Sequence, residues 1–360
     1  MDYHHYREAL ATSLAQSELP FSPAEYQARL EKVRHAMAKR ELDALLLTDP
    51  ADINYLTGYH TFEVSVHACL VCTQDKLVLQ VASIETGAAV VTARVDEIIG
   101  YRWENLDEII APLADLLTPC PRIGIDGWSS GLRVGVMDAL TKAVGKERFF
   151  EAGDLLDAIK IVKSSAELEM LKESARITAA GLETAMAAIQ PGMTDNDIAA
   201  IGAKALLENG SEFMSLQPIV TSGHRIGVIH VNHKRRVIQA NEPVFLEFGA
   251  AYQRYTAPVM RTAVTGTPNA ALTATQDLCR SMFETLCEAM RPGHSFDAAA
   301  QAADALLAPQ RDQLFFSGVF GYAVGAQFPP SWVEGTGYIA KGQTRTFEAN
   351  MVFHLPLCLR

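Results

Sequence analysis

Two stretches of this chain, about 101 residues apart, repeat one another: AAIQPGMTDNDIAA at 187–200 and EAMRPGHSFDAAAQ at 288–301. Each reads as the end of a helix, a Pro-Gly pair that stops it and, two residues on, Thr194 or Ser295 as the N-cap of the next helix. A matched pair of helix–PG–helix joints predicts a duplicated architecture with an internal pseudo-twofold. Apolar runs with strand character follow each joint. PIVTS, GVIHV, PVFLEFG and RTAVTG come after the first, FSGVF and FEANMVFHL after the second. Helix pairs punctuated by strands predict an α+β domain built on one curved, mostly antiparallel sheet, whose concave face is a natural pocket.

The part before the first joint reads differently. Over 23–42, Tyr26, Leu30, Val33 and Met37 recur at helical spacing. DALLLT, HACLVCT, KLVLQVA and RIGIDG then alternate with helical stretches near 83–95, 105–117 and 132–144, which predicts an α/β domain. Ser164 and Glu167 form a capping-box pattern at the head of a helix that runs to Pro191-Gly192. At 360 residues the chain exceeds what one hydrophobic core usually serves. The expected division is an N-terminal domain over 1–160 and a C-terminal domain over 161–360.

Charge and cysteine usage exclude several classes of partner. A net charge of −11 leaves no electrostatic footprint for nucleic acid, and Lys234-Arg235-Arg236 is too short a run to supply one. The six cysteines include no second CxxC to pair with Cys69 and Cys72 and sit mostly in apolar runs, which fits free thiols in a reducing cytoplasm. The first residues have neither a basic segment nor an apolar stretch of signal-peptide type, and no run is long enough to span a bilayer.

The chemistry concentrates in 219–262. Glu247 lies among apolar neighbours in VFLEFG, where a carboxylate without a partner costs several kcal/mol. His230 follows Ser222-Gly223 by eight residues from the serine, and Tyr255, Arg261 and Thr262 come later. His230 and His233 in HVNH lack HExxH spacing, and three residues apart on a strand they face opposite ways, so no metal is expected there.

These residues resemble the pita-bread hydrolases, the creatinase and aminopeptidase P family. There the stretch reads SG-x-N-x-A-x-x-H, then D-x-G, then GY-x-x-D-x-T-R-T. Ser222, Gly223, His230, Gly249, Tyr255, Arg261 and Thr262 match. DPADINYLTGY and IVKSSAE also resemble that family, so the likeness runs from about 25 to 360. It implies an α/β creatinase-like domain followed by a pita-bread domain.

The departures fall on the family's metal ligands. Its two aspartates correspond to Glu247 and Pro258, and its histidine to Tyr322. The glutamate after the M-V-F strand is missing in MVFHLPLCLR, and the chain stops short of the last one. A dinuclear centre needs several hard ligands that converge, so the resemblance implies a protein with no metal and no other cofactor. Creatinase is the metal-free precedent, with a histidine at the position of His230 as acid and base. The ectoine hydrolases are more similar still. They share the glutamate, a YxxP-x-x-RT segment, a GxxxG-x-x-(F/Y)PP-x-W block and an M-x-FH-L strand, here Tyr255 to Thr262, Gly321 to Trp332 and Met351 to Leu355.

The implied reaction opens a carbon–nitrogen bond of a small amidine or guanidine bearing a carboxylate. Glu247 either attacks the amidine carbon or stabilises its charge. His230 moves protons, and His354 assists from a facing strand. Arg261 or Arg225 holds the substrate carboxylate, with a buried brace to Glu247 as the other reading of Arg261. Tyr255 and Tyr322 complete the expected substrate contacts. Creatinase-like dimers imply a homodimer in which Tyr59, Phe62 and His67 reach the partner's site, with core packing as the alternative for all three. A non-catalytic binding protein and a metal-dependent proline peptidase are the competing readings of the whole chain.

Overall fold

The computed structural model describes residues 2–105 and 107–360. The chain divides into two units, Met1–Ile159 and Lys160–Arg360.

The first unit runs α1 (Tyr3–Leu14), α2 (Pro23–Lys39), β1 (Ala44–Leu47), α3 (Pro50–Thr57), β2 (Cys69–Thr73), β3 (Leu77–Ala82), α4 (Thr86–Thr92) and β4 (Glu97–Tyr101). It continues through α5 (Asp107–Leu117), β5 (Ile123–Ile125), α6 (Val134–Val144), β6 (Phe149–Glu151) and α7 (Gly153–Lys160), which runs into the second unit. Its sheet has the order β4-β3-β2-β1-β5-β6, antiparallel at β1–β2 and β2–β3 and parallel elsewhere. Alternation along β1 sends Leu45 and Leu47 into a core shared with α2 and α3, and Ala44 and Leu46 into a core shared with α5 and α6. Both faces are covered, which is why DALLLT is apolar throughout rather than alternating.

The second unit contains α8 (Ser165–Ala188), α9 (Asp195–Glu208), β7 (Ile219–Ser222), β8 (Pro243–Phe248), β9 (Ala251–Tyr252), β10 (Tyr255–Thr256) and β11 (Val259–Val264). Then come α10 (Ala270–Ala289), α11 (Phe296–Leu307), β12 (Val319–Ala323), β13 (Tyr338–Ala340) and β14 (Phe353–His354). The capping box of Ser164 and Glu167 opens α8. The two joints match in detail. Thr194 caps α9 and bridges Val237, as Ser295 caps α11 and bridges Thr346. Gly192 donates to the carbonyl of Ile238 and Gly293 to that of Phe347, both at 2.9 Å. Each joint is therefore tied to an isolated bridge by the same hydrogen bonds.

The expected single ladder is divided. β11-β8-β7 and β13-β12-β14 form two antiparallel three-stranded sheets, and β10-β9 is a hairpin between them. An antiparallel bridge from Tyr255 to Ala326 links the hairpin to the second half. GVIHV is not a strand. Gly223–Gly227 is a 3-10 turn and His230 has φ of 59°. Side chains have taken the ladder's place there. Asn232 accepts from the Val220 amide at 3.0 Å and donates to the Pro218 carbonyl, while buried Asp195 accepts from the amides of Lys234 and Arg236. His230 and His233 thus sit on a loop, and the face argument drawn from a strand does not apply to them.

Candidate active site

The site follows from the alternation of β8. Val244, Leu246 and Phe248 point into the core beneath α8 and α9. Phe245 and Glu247 therefore point to the opposite face. Register carries this across the sheet, since Glu247 stands opposite Ile219 on β7 and Met260 on β11, and Phe245 opposite Thr221 and Thr262. Glu247 is buried, and so is Thr221, whose hydroxyl has no hydrogen-bond partner among the described residues.

The other half of the unit brings an imidazole to this carboxylate. His354 on β14 lies opposite Tyr322 on β12. Its Nε2 stands 3.5 Å from Oε1 of Glu247, at ion-pair range but without hydrogen-bond geometry, and has no other partner. The His354 and Tyr322 rings meet edge to face, with centroids 5.3 Å apart. Tyr322 accepts a hydrogen bond of 2.8 Å from Nε1 of Trp332. Burial, and next the Glu247 carboxylate, push the Tyr322 hydroxyl above its ordinary range, and the Trp332 bond opposes them. The tyrosine stays protonated, and since its oxygen already accepts from the indole its own proton is free to be donated.

Gly249 is what allows the indole so close. A Cβ there would lie 2.8 Å from Cε3 of Trp332. Trp332, Gly249, Tyr322, His354 and Glu247 form one connected wall. Trp332 was legible only as the end of the FPPSW block, with no role attached.

The last residues face the same wall. Arg360 stacks over the Phe245 ring at 4.6 Å. Burial raises the Cys358 thiol, Arg360 pulls it down and Glu247 pushes it up, which puts Cys358 within the field of the carboxylate. Nothing in the sequence pattern marked either residue.

Several expected site residues are engaged elsewhere. His230 is exposed on its loop, and His354 is the imidazole at Glu247. Arg261 pairs in register with Leu246, so it faces away from Glu247. It is exposed, donates to the Met260 carbonyl and makes no brace to the carboxylate. Arg225 donates to the Asn232 carbonyl at 2.6 Å and so belongs to the loop after β7. Tyr255 is 1% exposed and donates to Oε1 of Glu167 at 2.9 Å, which ties β10 to the capping box of α8. In the first unit Tyr59 and His67 are buried, and Phe62 is 79% exposed. The thiols of Cys69, Cys72 and Cys120 are buried, whereas Cys287 is exposed, and all six are free.

Comparison with known proteins gives this wall its context. The model of metallopeptidase family M24 matches residues 169–357, and the creatinase/prolidase N-terminal domain matches 29–162. The chain belongs to the M24 hydrolase family. An uncharacterized hydrolase/peptidase, y4tM, of Sinorhizobium fredii is 28% identical, covering 94% of this chain and 90% of its own. The ectoine hydrolase of Halomonas elongata is 26% identical, covering 95% and 90%. The prolidase of Thermococcus sibiricus superposes with a TM-score of 0.81 at 18% identity, covering 92% of this chain and 89% of its own. That likeness establishes the pita-bread fold.

The family name implies a metal, and the residues here do not fit one. At the positions that the resemblance assigns to ligands, Glu247 keeps a carboxylate, Pro258 has no donor and Tyr322 offers a phenol already bonded to Trp332. Among the described residues no group of three or more His, Cys, Asp or Glu side chains converges to hold an ion.

Proposed function

We propose that this M24 chain hydrolyses a carbon–nitrogen bond in a small cyclic amidine bearing a carboxylate, with ectoine the first substrate to try, and does so without a metal. The observation that carries the proposal is the buried pair of Glu247 and His354, 3.5 Å apart, with Nε2 of the imidazole otherwise unpartnered. The ectoine hydrolase relative agrees with it.

An amidinium ion is the natural partner of a buried carboxylate, because the two form a charge-assisted hydrogen-bonded pair. Glu247 takes a proton from water as the oxygen adds to the amidine carbon. The tetrahedral adduct collapses with cleavage of one C–N bond, and the departing nitrogen receives a proton from His354. The adduct's hydroxyl proton passes to His354 as the carbonyl forms, and Glu247 gives its proton to the departing amine, so one water is consumed, both of its protons end on nitrogen and both side chains are restored. Tyr322, its oxygen already bonded to Trp332, donates to the developing oxygen. Arg360, stacked on Phe245 of the same face, supplies a guanidinium for the substrate carboxylate.

The test is incubation of chelator-treated protein with ectoine while N-acetyl-diaminobutyrate is followed by NMR. Turnover unaffected by chelator and reduced about 10²–10⁴-fold in Glu247→Gln is expected. No product, or product only after addition of manganese or cobalt, overturns the proposal. A homodimer belongs to the same proposal, with Phe62 among the residues covered, and sedimentation velocity tests it.

A further inference from the structure

The first unit contains a cavity of about 150 Å3 that the reaction at Glu247 does not use. Its position follows from topology. β1 and β5 are adjacent and parallel. The connection after β1 enters α3, which packs into the core on one face of the sheet. The connection after β5 leads to α6, which packs into the core on the other. Where neighbouring parallel strands send their connections to opposite faces, a crevice opens beyond their carboxyl ends, and in open α/β sheets that crevice is where ligands bind. Thr48 lines it from the loop after β1, Pro50 from the start of α3, and Ser130, Gly131 and Arg133 from the loop after β5. Gly131 lets the two loops touch, because a Cβ there would fall 2.0 Å from the Thr48 carbonyl oxygen.

The wall opposite is His67, just before β2. It is 3% exposed, and neither Nδ1 nor Nε2 has a hydrogen-bond partner among the described residues. Burial, with Arg133 adding to it, lowers this imidazole to about 4. It is therefore neutral near pH 7, with one N–H to donate and one nitrogen to accept. The charged side chains that line the cavity are Arg133 and Glu63. Oε1 of Glu63 accepts from the amide and hydroxyl of Ser65. Arg133 donates through Nη2 to the Ser65 carbonyl and keeps its remaining N–H groups.

We propose that this crevice is a binding site for a small monocarboxylate, with Arg133 holding the carboxylate and His67 donating to it from the buried end. A cavity of this volume admits a molecule about the size of a six-membered ring. Donors from a guanidinium and a neutral imidazole select an anionic acceptor over a cation.

The probes are acetate and benzoate, titrated into the full-length chain while the His67 ring nitrogens are followed by long-range 1H–15N NMR. Saturable displacement of those resonances, weakened at least about tenfold in Arg133→Gln and unchanged in Glu247→Gln, supports the site. Arg133 is exposed, so its variant tests the proposal even if His67→Gln fails to fold. Absence of saturation, equal affinity in Arg133→Gln, or loss of the response in Glu247→Gln each overturns it. The same holds if His67 responds only to protein dilution and not to carboxylate, which would assign the crevice to contact with a second copy of the chain.

Discussion

Nε2 of His354 and Oε1 of Glu247 stand 3.5 Å apart, and their side chains are 6% and 9% exposed. The two come from different halves of the duplicated unit, β14 and β8. The imidazole is not satisfied by the contact, since the geometry is not that of a hydrogen bond and Nε2 has no other partner. Leaving a buried donor or acceptor unpaired costs about 1–3 kcal/mol. A substrate that places an N–H or an oxygen between the two recovers that cost on binding.

This relationship separates two histidines. If His354 moves the proton, His354→Asn lowers kcat by about 10²–10⁴-fold, while His230→Asn, on an exposed loop, lowers it less than about tenfold. Steady-state rates on ectoine for both variants, beside thermal melts to confirm folding, decide between them. The opposite order would return proton transfer to His230.

The support behind the pair is open to a similar test. Trp332→Phe keeps the ring and removes the N–H that Tyr322 accepts. Losing one such bond should cost about 0.5–1.5 kcal/mol and lower kcat more than it raises KM. Gly249→Ala drives a methyl against the indole and should destabilise by about 1–3 kcal/mol. A Gly249→Ala protein with an unchanged urea midpoint would show that the indole moves freely, which contradicts the wall described above.

Lys163 and Glu334 form an ion pair with side-chain exposures of 0% and 4%. Lys163→Met leaves the Glu334 carboxylate buried without its counter-charge and should cost about 3–5 kcal/mol in urea unfolding. The double variant with Glu334→Leu should recover most of that loss, because an apolar pair of similar volume is often neutral. Additive losses in the double-mutant cycle would rule out coupling between the two.

Much of this architecture was legible because it is periodic or repeated. The two Pro-Gly joints announced the duplication, and the apolar run at 44–47 announced a buried strand. Glu247 stood out as the charge in an apolar strand. What remained hidden depends on hydrogen bonds between residues far apart in the chain. Asn232 takes the Val220 amide on β7 and Asp195 takes the Arg236 amide, so side chains bond the backbone on either side of the loop that carries His230. Arg261 matched a motif, but the register that turns it away from Glu247 cannot be read from its neighbours in sequence. Trp332 meets Tyr322 through a turn of ten residues that no period describes.

His67 supplies the last test, and it concerns stability rather than rate. Burial lowers its folded value to about 4 from an ordinary 6.5. Between those two values the unfolded chain binds a proton that the folded chain does not, so stability rises with pH across that interval. The contribution is complete above about pH 6.5 and is lost as pH falls to about 4, where it levels off. A displacement of this size corresponds to roughly 3 kcal/mol at most. Urea midpoints measured from pH 7 to 4.5 should fall more steeply in the unmodified chain than in His67→Leu, which has no proton to gain. Parallel curves for the two would mean that the ring is protonated in place, with Arg133 moved aside to allow it.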